Sequence, residues 1–236
     1  VGTEFAQRNE KILSQKRGAG YWSWKPYFIL QKLEKMSASD VLIYCDAGIE
    51  VTGDLSPLIE LAQQSDLPIF VSDFNRISRV WTKRDAFVLM NLDHPQYYEV
   101  AQVVSGFSFW RNTPQQISFL HEWLHYMEDY RICTDAPDEC GLPPLEGYIE
   151  NRHDQSVLSL LAAKHEVPIY RDPAKYGDAW KGLVQGGRSD SPEWKASTCM
   201  APSDYGTLIN VHRFRNKKPG QILWLLRRWL YWKCRK

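Results

Sequence analysis

SDVLIYCDAGIEV, Ser39 to Val51, is the stretch from which this chain is read. Val41 to Cys45 has the apolar, β-favouring composition of a buried strand. It runs straight into Asp46, then Ala47 and Gly48, and turns apolar again at Ile49. In open α/β sheets, ligands gather outside the carboxyl ends of strands, and Asp46 stands at such an end. Burying a carboxylate without a partner costs several kcal/mol, so packing alone is a poor reason for it. A sugar hydroxyl or a metal ion would satisfy it, and Gly48 would let ligand or backbone come close. The plainer alternative is an Asp that caps the turn it begins.

Working outward, helices and strands alternate. Residues 4–17 are polar and helix-compatible. Gly18 and Gly20 break the pattern, and Pro26 in a first turn starts YFILQKLEKM. After the Asp46 strand come a helix in LSPLIELAQQS, a strand in LPIFVSD, a helix in KRDAFVLMNL and a strand in AQVVSGFSFWRN. Thr113-Pro114 opens an amphipathic helix to Ile132, with Ile117, Leu120, Trp123, Leu124 and Met127 on one face. Cys133 to Gly147 is Pro- and Asp-rich and reads as loop. DQSVLSLLAAKH is a helix, VPIYR a short strand, Asp172 to Asp204 a long polar loop, and GTLINVHRFRN a last strand with a basic end. This order predicts an α/β layer fold with a mostly parallel central sheet.

The chain has 236 residues, enough for one full core. Its ten Trp suit stacking on sugar or base faces, or simple core filling. Charge is uneven. Tyr205 to Lys236 holds nine Lys or Arg and no acid, which leaves the body at −8. An acidic body is not a nucleic-acid binder, whereas the tail suits anionic phosphates or a membrane surface. In PGQILWLLRRWLYWKCRK, residues 221–236 form a basic aromatic helix, too short and charged to span a bilayer. It fits an interfacial position, or docking on the protein's own core. Five cysteines without a CxxC pair argue against a metal knuckle. Cys45 reads as a buried thiol. Cys133 and Cys140 are either a loop-closing disulfide or free thiols in a reducing compartment, the latter being simpler. No signal peptide is visible, so the expected location is cytoplasmic, with peripheral contact at the inner membrane face. The chain begins at Val1, which suggests a missing upstream segment.

Six pieces in order, GAGYWSWKPYFIL, VLIYCDAGIEV, VWTKRDAFVLM, AQVVSGFSFWRNT, RHDQSVLSLL and INVHRFRN, resemble GT-A-type bacterial glycosyltransferases of lipopolysaccharide and capsule biosynthesis. The resemblance runs from about Gly18 to Asn216. It implies a GT-A-like three-layer sandwich over residues 1–220, with the usual N-terminal strand not recognisable before residue 18. It also implies transfer of a hexose from a nucleotide-diphosphate sugar, UDP-hexose first among them, to a cell-surface glycan or lipid-linked acceptor. The family's acidic motif is Asp-x-Asp after an apolar strand, where it holds a divalent cation and the donor diphosphate. Here Gly48 stands in the second Asp's place.

On that resemblance Asp46 and Gly48 contact the donor, and Asp46 with His212 is the candidate site for Mn²⁺ or Mg²⁺. Lys25, ahead of the helix leading to the Asp46 strand, is a candidate phosphate or donor-sugar contact, or a solvated lysine. Lys83 and Arg84 are candidate phosphate ligands, or surface ion-pair partners. Arg213 and Arg215 would stabilise the leaving diphosphate. His153 and Asp154 open a helix and are candidates for acid–base work, with His153 also a candidate donor contact; Asp154 is either an N-cap or the base that takes the acceptor's proton. If configuration is retained, Asp154 contacts the donor sugar instead. Tyr21, Trp22 and Trp24 would stack on a base or sugar, or pack in the core. The rival reading is a non-catalytic glycan- or nucleotide-sugar-binding module on the same scaffold. A metal-dependent phosphoryl transferase ranks last, because no P-loop is present.

Overall fold

The computed structural model describes residues 3–174 and 205–212. Four helices come first: α1 (Thr3–Arg8), α2 (Glu10–Leu13), the kinked α3 (Gly18–Tyr21) and α4 (Trp24–Leu33). Then follow β1 (Leu42–Cys45), β2 (Ile49–Val51), α5 (Ser56–Gln64), β3 (Ile69–Ile77), α6 (Ser78–Trp81), α7 (Arg84–Leu89) and α8 (Pro95–Tyr98). The order closes with β4 (Ala101–Trp110), α9 (Pro114–Met127), α10 (Tyr130–Cys133), α11 (Asp154–Lys164), β5 (Ile169–Tyr170) and β6 (Ile209–Val211).

The fold is α/β, built on a four-stranded sheet in the order β1-β4-β3-β5. The expectation of a mostly parallel sheet is corrected. β1 and β3 both pair antiparallel with β4, and only β3 and β5 run parallel. The alternation of helices and strands suggested parallel crossovers, but β4 inserts between β1 and β3 and runs against both. A separate two-stranded antiparallel sheet joins β2 to β6, with Ile49 opposite Val211 and Val51 opposite Ile209.

Side-chain alternation divides the core between the two faces of the main sheet. Leu42, Tyr44, Phe70, Val103 and Trp110 join the larger core, with residues of α4, α9 and α11. Ile43, Ile69, Val71, Phe107 and Phe109 face the smaller core, with Leu58 and Ala62 of α5 and Ile209 of β6. The sheet is therefore covered on both sides. α9 forms as its sequence predicts: the Thr113 hydroxyl accepts from Gln116 N at 3.3 Å, and Pro114 occupies the first turn. Leu120 and Trp123 are fully buried, and Trp123 stacks on Trp110 with centroids 6.1 Å apart. Each such aliphatic or aromatic burial contributes about 1.5–3 kcal/mol. The helix ends before Ile132, because Asp129 leaves helical geometry and caps α10 by accepting from Arg131 N at 2.9 Å.

Cys45, Cys133 and Cys140 are free thiols, so no bridge closes the 133–140 loop. Cys45 is exposed rather than buried, since β1 is the edge of the sheet and its last residue emerges at the rim. Cys133 is buried, and that burial pushes its thiol up to about 12. Among the described residues no helix is long and apolar enough to cross a membrane. The 221–236 helix, most of the Asp172–Asp204 loop, Arg213 and Arg215 lie outside the described residues.

Candidate functional site

Asp46 extends β1 by one rung: its N–H donates to Gly106 O at 2.8 Å. The chain then turns, and Ile49 N donates back to Asp46 O at 2.9 Å. Tyr44 and Asp46, two residues apart on a strand, share a face. The Tyr44 hydroxyl donates to Asp46 Oδ1 at 2.7 Å and fixes the carboxylate's orientation. Burial first, then the adjacent Asp46 charge, drive the Tyr44 pKa upward, so Tyr44 stays a neutral donor. Gly106 lies against the other oxygen: a Cβ there would fall 2.7 Å from Asp46 Oδ2. The Asp46 side chain is nevertheless 42% exposed. It is the solvent-open member of the cluster.

Lys25 supplies the positive charge. It lies in the first turn of α4 with its side chain only 1% exposed. Its ammonium donates to Ser105 O at 3.1 Å and to Asp154 Oδ2, and sits 3.7 Å from Asp46 Oδ1. The Tyr44 ring centroid lies 5.1 Å away. One buried cation thus joins the end of β1, the middle of β4 and the start of α11. Its hydrogen bonds to Ser105 and Asp154 offset the cost of burying an ammonium.

The segment before Lys25 explains how it reaches this depth. Gly18, Ala19, Gly20, Tyr21 and Trp22 all have positive φ, between 51° and 96°. Such a left-handed run is costly for residues with a Cβ, and the two glycines lower the cost. A Cβ on Gly18 would also strike the Trp22 ring at 2.4 Å, and one on Gly20 would come within 2.8 Å of Leu13 Cα. The coil delivers Tyr21 and Trp22 onto His153, with ring centroids at 4.8 and 5.7 Å. Tyr21 is buried there, whereas Trp22 rests on His153 and stays part-exposed.

His153 is itself strained, at φ 55° and ψ −115°, a region that residues with a Cβ rarely occupy. It is 1% exposed. Nδ1 donates to Cys133 O at 2.9 Å, and Nε2 lies 3.6 Å from Asp135 Oδ1. Burial lowers the His153 pKa and Asp135 pulls it partly back, so the ring is neutral at pH 7. It is a packed wedge that sets the start of α11 and so aims Asp154 at Lys25. Asp154 is only 5% exposed in its side chain. Its carboxylate is paired with the Lys25 ammonium at the start of α11.

Lys83 and Arg84 belong to other contacts. Lys83 is buried, donates to Ala136 O at 2.7 Å, and lies 3.7 Å from Asp85 and 3.9 Å from Asp138. Asp85 accepts from Glu139 N at 2.9 Å and Cys140 N at 2.8 Å. Burial raises the Asp85 pKa, but these donors and Lys83 outweigh it, so the net shift is downward. Together the pair clamps the loop after Cys133. Arg84 pairs with Asp93 at 2.8 Å and lies over the Tyr98 ring. Gly48 has a backbone role. Its carbonyl accepts from His212 N at 2.8 Å, and a Cβ would meet His212 O at 2.6 Å. The end of β6 therefore lies on the Asp46 turn, which brings His212 beside the site through its backbone.

The set around Asp46 does not fit the divalent cation expected for it. Oδ1 already accepts from Tyr44 and faces an ammonium. Among the described residues, no three His, Cys, Asp or Glu side chains gather to hold a metal. Sequence reasoning missed Tyr44, Ser105 and Gly106. Tyr44 had a signal, its two-residue spacing from Asp46. Ser105 and Gly106 had none, because the β1–β4 register is not written in either strand.

Compared with protein-family models, curated proteins and solved structures, the chain matches none of them.

Proposed function

We propose that this chain is a GT-A-type glycosyltransferase that moves a hexose from a nucleotide-diphosphate sugar, UDP-hexose first, to a cell-surface glycan or lipid-linked acceptor. The observation that carries the reading is the Asp46 carboxylate: open to solvent, at the carboxyl end of β1, and held by Tyr44 and a buried Lys25. The ordered sequence resemblance supports it. A fixed carboxylate accepts hydrogen bonds from sugar hydroxyls, and so orients the donor's anomeric carbon before attack. In the transfer, the acceptor oxygen bonds to the anomeric carbon as the bond to the diphosphate oxygen breaks. The acceptor's proton passes to a base, and the diphosphate leaves with the electron pair. Asp46 supplies orientation in this scheme. Tyr44 and Lys25 keep its oxygens in place, and Asp154 keeps Lys25 in place.

The burial of Asp154 favours one rival, a sugar-binding module that lacks a base. A panel of nucleotide sugars separates the two. Calorimetry reads binding, and release of nucleoside diphosphate reads turnover. Turnover of one UDP-hexose supports the transferase; binding without release supports the module. Neither binding nor release across the panel defeats both.

A further inference from the structure

We infer that the Lys25 ammonium stands in the place expected for a divalent cation, so that Asp46 works as an ammonium-paired, metal-free carboxylate. Three features of the geometry carry this. First, Lys25 Nζ touches both carboxylates of the cluster, Asp154 directly and Asp46 at 3.7 Å, as a bridging cation would. Second, it is buried and hydrogen-bonded to the Ser105 carbonyl, so it is a built part of the core and not a mobile surface lysine. Third, Oδ1 of Asp46, the oxygen that faces the ammonium, already receives the Tyr44 hydroxyl at 2.7 Å, which leaves Oδ2 as the one oxygen free for a metal.

A hard divalent ion prefers several oxygen ligands at short range. Here it would meet one partly free carboxylate and a fixed positive charge a few ångströms away, which repels it. The ammonium supplies less charge than a metal but needs no ion from solution.

The inference concerns the charge in the site and does not require that the reaction be sugar transfer. Its test uses the metal alone, so its failure is distinguishable from failure of the functional proposal. The full chain is titrated with Mn²⁺ while free Mn²⁺ is read by electron paramagnetic resonance. Asp46→Asn, Lys25→Met and Lys25→Met/Asp46→Asn are run beside it. The wild type and Asp46→Asn are expected to give superimposable curves with no saturable site that depends on Asp46. Lys25→Met removes the ammonium and leaves two carboxylates facing one gap. It is expected to gain one Mn²⁺ site at least ten-fold tighter than any in the wild type, lost again in the double variant. One Mn²⁺ per wild-type chain that disappears in Asp46→Asn overturns the inference, as does a folded Lys25→Met that gains no site. Should Lys25→Met fail to fold, the comparison of wild type with Asp46→Asn decides alone.

Discussion

The buried pair of Lys25 and Asp154 makes the sharpest energetic prediction. Both side chains are at most 5% exposed, and removing one partner of such a pair leaves an uncompensated buried charge. That costs about 3–5 kcal/mol. Lys25→Met is isosteric enough to leave no large void, so the charge term dominates. Asp46 cannot relieve it, because it too is a carboxylate and adds to the repulsion. Asp154→Leu is expected to cost less, about 2–3 kcal/mol, since Lys25 keeps Asp46 as a counter-charge, discounted because that side chain is 42% exposed. Lys25→Met/Asp154→Leu removes both charges, and is expected to recover to within about 2 kcal/mol of the wild type, as paired replacement of buried ions commonly does. Urea unfolding followed by circular dichroism reads all four proteins. With a slope of about 2–3 kcal/mol per molar for a chain of this size, Lys25→Met lowers the midpoint by about 1–2 M. The single variants together cost about 5–8 kcal/mol against at most about 2 for the double, so the coupling should reach about 3 kcal/mol or more. If Lys25→Met costs under about 1 kcal/mol and the double variant is simply additive, the ammonium is not the buried hub described above.

Three further outcomes follow from the geometry. Gly106→Ala places a methyl 2.7 Å from Asp46 Oδ2 and displaces the carboxylate, so it should weaken donor binding by about ten-fold at a stability cost of about 1–3 kcal/mol, read by calorimetry and urea melts. Lys83→Met leaves Asp85 buried without its cation, so it should lower stability by about 2–4 kcal/mol and open the 134–147 loop to limited proteolysis. Its donor affinity should stay within about two-fold of wild type, because the Asp46 cluster is untouched; a ten-fold loss would restore Lys83 as a donor ligand. His153 has a folded-state pKa below its unfolded value of about 6.5, so the unfolded chain takes up the proton first and stability falls as pH drops below about 6.5. His153→Gln should flatten that slope between pH 6.5 and 5, as measured by urea midpoints across pH; an unchanged slope would assign the titration to another group.

Part of the site was legible at the ends of elements: Asp46 follows an apolar strand, Lys25 precedes a helix that leads back to it, and Asp154, singled out through the resemblance, opens a later helix. These three meet although up to 129 residues separate them. The α9 face was legible because its period repeats over four turns. The misses are non-local. Nothing in AQVVSGFSFW says which way β4 runs, since a strand buried on both faces packs equally well in either direction. The burial of Lys25 depends on the left-handed coil at Gly18 to Trp22, and two glycines announce a break without announcing its depth. For Lys83 and Arg84 the ion-pair alternative is the one seen, but its partners, Asp93 and a loop some fifty residues on, were not legible. Gly48 looked like room for a ligand, and it makes room for the β6 end.

Single-turnover cleavage of a UDP-hexose by folded wild type and Asp46→Asn, at equal enzyme and saturating donor, tests the central claim most directly. A rate loss on the order of 10²-fold or more is expected in the variant, with an unchanged circular dichroism spectrum. Equal rates in the two proteins would contradict it, and would remove the carboxylate at the end of β1 from the chemistry.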